Sequence, residues 1–181
     1  MHRADAAGAE SVATDRPQEL VAPARARTIG ASFAVAFAAN LLPWPSVAVV
    51  PDFVALLVVF WCVREPLRVG LGAAWLLGLA TDAANMTLLG QHALAYALLA
   101  FVAINLSRRI LWFGAVGQAL HVALLLFAAQ AVGALVRFSA GAATPGPEIL
   151  AGPVLGALAW PALAPLLLAP QRRAAEVPEA R

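Results

Sequence analysis

The chain has 181 residues, of which 62% are hydrophobic and 12% charged, about half the charged share of an ordinary soluble domain. Its formal net charge of +2 is spread between apolar runs, which argues against nucleic acid as a partner, and its single cysteine, Cys62, excludes an intrachain disulfide or a cysteine metal cluster. Length and composition together describe a small multi-pass membrane protein.

Residues 1–27 are polar, rich in alanine and carry Asp, Glu, Arg and Pro. They lack the apolar stretch and cleavage site of a secretory signal and read as a disordered cytoplasmic tail. Span one follows from about Thr28 to Val49, enough for a bilayer core that needs roughly 20 residues. Pro43 and Pro45 should bend or end it near Trp44, which suits an interfacial anchor. Pro51 and Asp52 make the turn into span two, Phe53 to Val63. That segment covers only roughly 16 Å, about half the hydrocarbon thickness. It must be shielded by neighbours, draw in its flanks or sit in a thinned patch, and Arg64 can lengthen it by snorkelling.

Pro66 opens the next segment, and span three runs from Leu67 to about Asn85. Span four, Gln91 to Ser107, is expected to stop at the Arg108–Arg109 pair. Span five, Ile110 to Val136, is the longest and leads into a Gly- and Pro-rich loop from Ser139 to Glu148. Span six, Ile149 to Leu168, is followed by a short charged tail. The predicted organisation is thus an all-α, polytopic bundle of six transmembrane helices over residues 28–170, with cytoplasmic tails at 1–27 and 171–181.

Orientation rests on arginine. All twelve basic side chains are arginines. With six spans, Arg3, Arg16, Arg25, Arg27, Arg64, Arg68, Arg108, Arg109, Arg172, Arg173 and Arg181 fall on one side, and only Arg137 on the other. Short arginine-rich loops stay cytoplasmic, so both termini are placed in the cytoplasm. A five-span chain would put the later arginines outside.

Gly70, Ala74, Gly78 and Asp82 recur every four residues and share one helix face. Small residues in such a row allow a second helix to come close, so Asp82 should lie on a packed face rather than against lipid. It reads either as an interfacial carboxylate hydrogen-bonded to its loop or as a functional or partner-binding group. Asp52 sits at a helix N-terminus and is explained as a cap. Asp82 sits at a C-terminus, against the dipole, and needs a partner. Asn85 and Gln91 are local candidates, and Arg137 is the long-range one.

Gln118 and His121 in span five read as hydrogen-bonding groups between helices, a proton or substrate site being the less favoured alternative. Gly152-x-x-x-Gly156 is a packing signature, with Ala34 and Ala38 a weaker one. Arg64, Arg108 and Arg109 are positioned for anionic lipid or a cytoplasmic partner, or serve topology alone. No nucleophile–base pair or phosphate loop appears, and none of the five serines lies in G-x-S-x-G, so no enzyme activity, cofactor or metal is expected.

Several motifs in order resemble the rod-shape-determining protein family MreD. They are Pro51-Asp52 opening a short span, then Trp61 and Arg64-Glu65-Pro66 closing it. Trp75-x-x-Gly78-Leu79-x-x-Asp82, Leu89-Gly90, Arg108-Arg109 before a span with Gln118, and the basic end after span six complete the set. The likeness covers about residues 28–173 and leaves out the N-terminal tail. It implies a non-enzymatic scaffold in the bacterial inner membrane, acting in cell elongation and peptidoglycan synthesis. The implied partners are a bitopic MreC-like protein, the actin-like MreB, a RodA-type glycosyltransferase and its transpeptidase. It also implies an architecture similar to the substrate-binding subunits of energy-coupling-factor vitamin transporters. Such a subunit is the alternative function, with an outward pocket lined by Asp52, Asp82, Asn85 and Gln91. The small-residue face of span three and the glycines of span six are candidate contact surfaces for a partner, or are claimed by the helix bundle itself.

Overall fold

The computed structural model describes residues 24–44, 50–142 and 146–175, with side chains up to residue 171. Most of the sequence read as an N-terminal tail, residues 1–23, and the last six residues of the C-terminal tail lie outside that description, as do Pro45 to Val49. The described residues form six α-helices and no strand. These are α1 (Ala26–Asn40), α2 (Phe53–Arg64), α3 (Leu71–Ala84), α4 (Gln91–Trp112), α5 (Ala115–Ser139) and α6 (Ala151–Ala175). A short 3-10 turn, Pro147–Leu150, leads into α6. Helices are the expected solution for apolar segments, because each satisfies its backbone polar groups internally.

The elements differ in length more than six equivalent spans would. Gln91–Trp112, Ala115–Ser139 and the continuous stretch Pro147–Gln171 are long and apolar enough to cross a bilayer, whereas α2 and α3 are shorter apolar helices. α1 also stops early, at Asn40. Its end is turned by Pro43 and fastened by the Trp44 indole, whose Nε1 donates to the Ala39 carbonyl at 2.9 Å. α4 runs past Arg108 and Arg109 to Trp112, correcting the expected stop at that pair. Arginines in a last turn are favourable to the helix dipole and can extend to the interface. The break comes instead at Phe113 and Gly114.

α2 is the centre of the bundle. Every residue from Val54 to Val63 is buried, enclosed by α1, α4, α5 and α6. Its twelve residues are thus shielded by neighbours, the first of the arrangements expected for an apolar segment shorter than the roughly 20 residues of a bilayer core. Phe60 stacks edge-on to Trp61 at 4.9 Å and leans on Trp160 of α6 at 5.8 Å. The Trp61 indole donates to Ser32 Oγ of α1 at 2.9 Å, and the Trp160 indole to Gln118 Oε1 of α5 at 3.2 Å. Gln118 thus bonds between helices, as expected, while His121 bonds within its own helix, to the Gly117 carbonyl.

The α3–α4 contact explains the small-residue row. Ala74 and Gly78 are buried and Gly70, the N-cap of α3, is half-buried. A Cβ at Gly78 would run into the Ala93 backbone and the His92 carbonyl, so only glycine permits this approach. Gly152 and Gly156 are likewise turned inward, and a Cβ at Gly156 would lie 2.9 Å from Leu126 Cδ1. Of the two uses open to these surfaces, partner contact or internal packing, both serve the second. Among the described residues they are occupied before any partner arrives.

Candidate functional site

The α1–α2, α3–α4 and α5–α6 connections meet at one end of the bundle, around a cavity of about 580 Å³. Two carboxylates organise this end. Asp52 is the N-cap of α2: its Oδ1 accepts from the Ala55 amide at 3.0 Å. The same oxygen accepts from Asn40 Nδ2 at 2.9 Å, and Asn40 Oδ1 accepts in turn from the Phe53 amide at 3.1 Å. Oδ2 accepts from the Tyr96 hydroxyl at 2.5 Å. The cap expected from sequence is present, but Asp52 also joins the end of α1 and the middle of α4 to the start of α2.

Asp82 is fully buried and sits in the last turn of α3, as expected. Its partner is the adjoining N-terminus of α4. Oδ2 accepts from the Gly90 amide at 2.9 Å and the Ala93 amide at 3.3 Å. Oδ1 accepts from the His92 amide at 2.9 Å and lies 2.7 Å from His92 Nδ1. Thr87 Oγ1 donates to Oδ1 at 3.1 Å. The dipole of α3 opposes the charge while that of α4 favours it, and the free amides of α4 supply the donors. The proposed Arg137–Asp82 pair is therefore corrected: Asp82 is saturated locally, and neither Asn85 nor Gln91 is its partner. Gly90, at φ 101°, supplies the left-handed turn that brings its own amide onto the carboxylate.

Arg137, in the last turn of α5, is half-buried and lines the cavity. Asp52, Asn85 and Gln91 line it too; Asp82 does not. Gln91 is buried, and its Oε1 has no hydrogen-bond partner. Sequence reasoning missed Asn40, His92 and Tyr96. Asn40, an amide late in an apolar run, and Tyr96, the one tyrosine of the chain, were the available signals, since buried polar groups in lipid demand partners.

The opposite end is held differently. Glu65 Oε1 accepts from the Ala24 amide at 2.9 Å, Arg68 Nη1 donates to the Ala24 carbonyl, and Arg68 faces Glu65 at 3.9 Å. This clip ties the start of α1 to the α2–α3 turn. Pro66 is exposed in that turn, Arg64 is half-buried at the end of α2, and Arg108 and Arg109 are exposed on α4. The structure thus gathers Asp52, Asp82, Gly90, Arg137 and Gly152 at one end, and leaves Arg64, Pro66, Gly70, Arg108 and Arg109 apart from them.

A helical bundle in which three helices are long and apolar enough to cross a membrane, built around one enclosed short helix, defines an all-helical protein of the membrane class. Residues 26–168 match the family model for the rod shape-determining protein MreD. The chain is 31% identical over 140 residues to the rod shape-determining protein MreD of Haemophilus influenzae, covering 74% of this chain and 84% of that protein. It belongs to the MreD family, a membrane family of rod-shape determination. No solved structure matches it.

Proposed function

We propose that this protein is a non-enzymatic scaffold of the cell-elongation complex, embedded in the bacterial inner membrane with both termini in the cytoplasm. The observation that carries the reading is the family match across residues 26–168. In this orientation the cavity end faces outward and the Glu65–Arg68 clip faces the cytoplasm. All six helices take part in crossing, α2 and α3 within the shelter of the longer ones. Partners are a bitopic MreC-like protein, an actin-like MreB, and a RodA-type glycosyltransferase with its transpeptidase. Since the small-residue rows are occupied internally, contact falls to the outward apolar faces. On α4 these include Leu94, Leu98 and Phe101. Arg64, Arg108 and Arg109 then address lipid headgroups or a cytoplasmic partner.

Depletion in a rod-shaped host tests the role. Rounding of the cells with loss of elongation is expected, and normal shape after complete depletion removes the proposal. Reporter fusions after residues 86, 109 and 142 test the orientation, with the first and third outside and the second inside.

A further inference from the structure

The cavity has a feature that the scaffold role does not use. Its carboxylate, Asp52, is committed to Ala55, Asn40 and Tyr96, and the neighbouring Asp82 to the α4 N-terminus. The cation in the wall, Arg137, has no ion pair or side-chain hydrogen bond among the described residues. The charge in the wall that has no partner is therefore Arg137's, while that of Asp52 is already met by three donors. Gln91 Oε1 adds a buried acceptor that lacks a donor, a state that costs free energy unless something occupies it. Gln91 lies where a side chain added at Gly133 would touch it, and Arg137 stands one turn beyond Gly133 along α5, about 6 Å along the axis. His92 also borders the cavity. Its Nδ1 faces the Asp82 carboxylate. At about 580 Å³ the space falls within the range of small-molecule sites, ~300–1,000 Å³. Leu126, Ala129 and Ile149 supply apolar wall.

We infer that this cavity binds a small oxyanion carrying a neighbouring hydroxyl or amide donor, of the glycerophosphate kind. The anion pairs with Arg137, whose planar guanidinium matches a phosphate fork. The adjacent donor satisfies Gln91 Oε1, and the carbon skeleton lies against Leu126 and Ile149. A lipid headgroup and a free phosphate ester share this chemistry.

The test uses the purified full-length chain. Binding of phosphatidylglycerol is read in nanodiscs of phosphatidylcholine doped with it, and glycerol 1-phosphate is titrated against the detergent-solubilised protein by thermal shift. Wild type is expected to bind at least one probe. Phosphatidylglycerol alone identifies a lipid headgroup as the source, and response to glycerol 1-phosphate a soluble ester. Arg137→Gln is expected to weaken binding about tenfold or more, the loss of a charge-assisted contact. Gly133→Leu, which fills the space beside Gln91, should abolish it, and Gln91→Leu should weaken it in a protein that still elutes as one species. Arg27→Gln, exposed at the far end, should bind as wild type. The inference is overturned if wild type binds neither probe, if Gly133→Leu binds normally, or if Arg27→Gln loses as much as Arg137→Gln. Cell-shape complementation is scored separately, so failure here leaves the scaffold proposal to its own test.

Discussion

Asp52 and Asp82 lie at the same end of the bundle and both cap a helix, yet they do different structural work. Asp82 receives its donors from within eleven residues of chain: it closes one turn and lets α3 and α4 run side by side. Asp52 reaches back to Asn40 and forward 44 residues to Tyr96, so it fixes the mutual position of three helices. In water each would be a modest cap. Inside a bundle, the same residue type serves a local corner or a tertiary knot, depending on whose amides are free nearby.

That contrast yields a ranked set of expectations for unfolding of the detergent-solubilised protein. Asp82→Ala strands three backbone amides of α4 and should destabilise most, by about 3–5 kcal/mol given ~1–3 for each buried group left unpaired. Gly78→Leu, which drives a side chain into the Ala93 backbone one turn before Asp82, should cost about 3 kcal/mol or leave no folded protein in membranes. Asp52→Asn retains an oxygen for the Ala55 amide and should cost only about 1 kcal/mol, with Tyr96→Phe similar. Combined, those two should couple by about 0.5 kcal/mol or more, since they share one bond. The smallest effect is the sharpest control: Asp82→Asn and Arg137→Gln should add to within about 0.5 kcal/mol. Strong coupling there would restore the ion pair that the geometry denies and dissolve the distinction between the two corners.

Helical architecture was legible because membrane segments leave few alternatives, and the four-residue spacing correctly put Asp82 on a packed face. The shortness of Phe53 to Val63 also correctly demanded shelter. Arg108–Arg109 misled because charge was read as a stop, whereas the helix needed Gly114 to break it. Asp82 misled because only its own helix dipole was weighed; the N-terminus eight residues further on was invisible without the turn through Gly90. The cavity was half legible. Lying at span ends groups Asp52, Asp82, Asn85 and Gln91; all but Asp82 line the cavity, and Tyr96 and Arg137 join them only once six helices are placed together. Gly152 and Gly156 announced close packing without saying which helix would use it.

The enclosure of α2 has a consequence for how the protein is made. Its twelve residues leave the ribosome before α4, α5 and α6, the helices that cover most of its surface. Synthesis proceeds at ~5–20 residues per second, and α4 is complete only at Trp112, so α2 waits for several seconds without its neighbours. Too short to span lipid alone, it must be sheltered during that interval by α1 or by the insertion machinery. The central helix of the finished bundle is thus made second and gains its full surroundings only when α6 arrives.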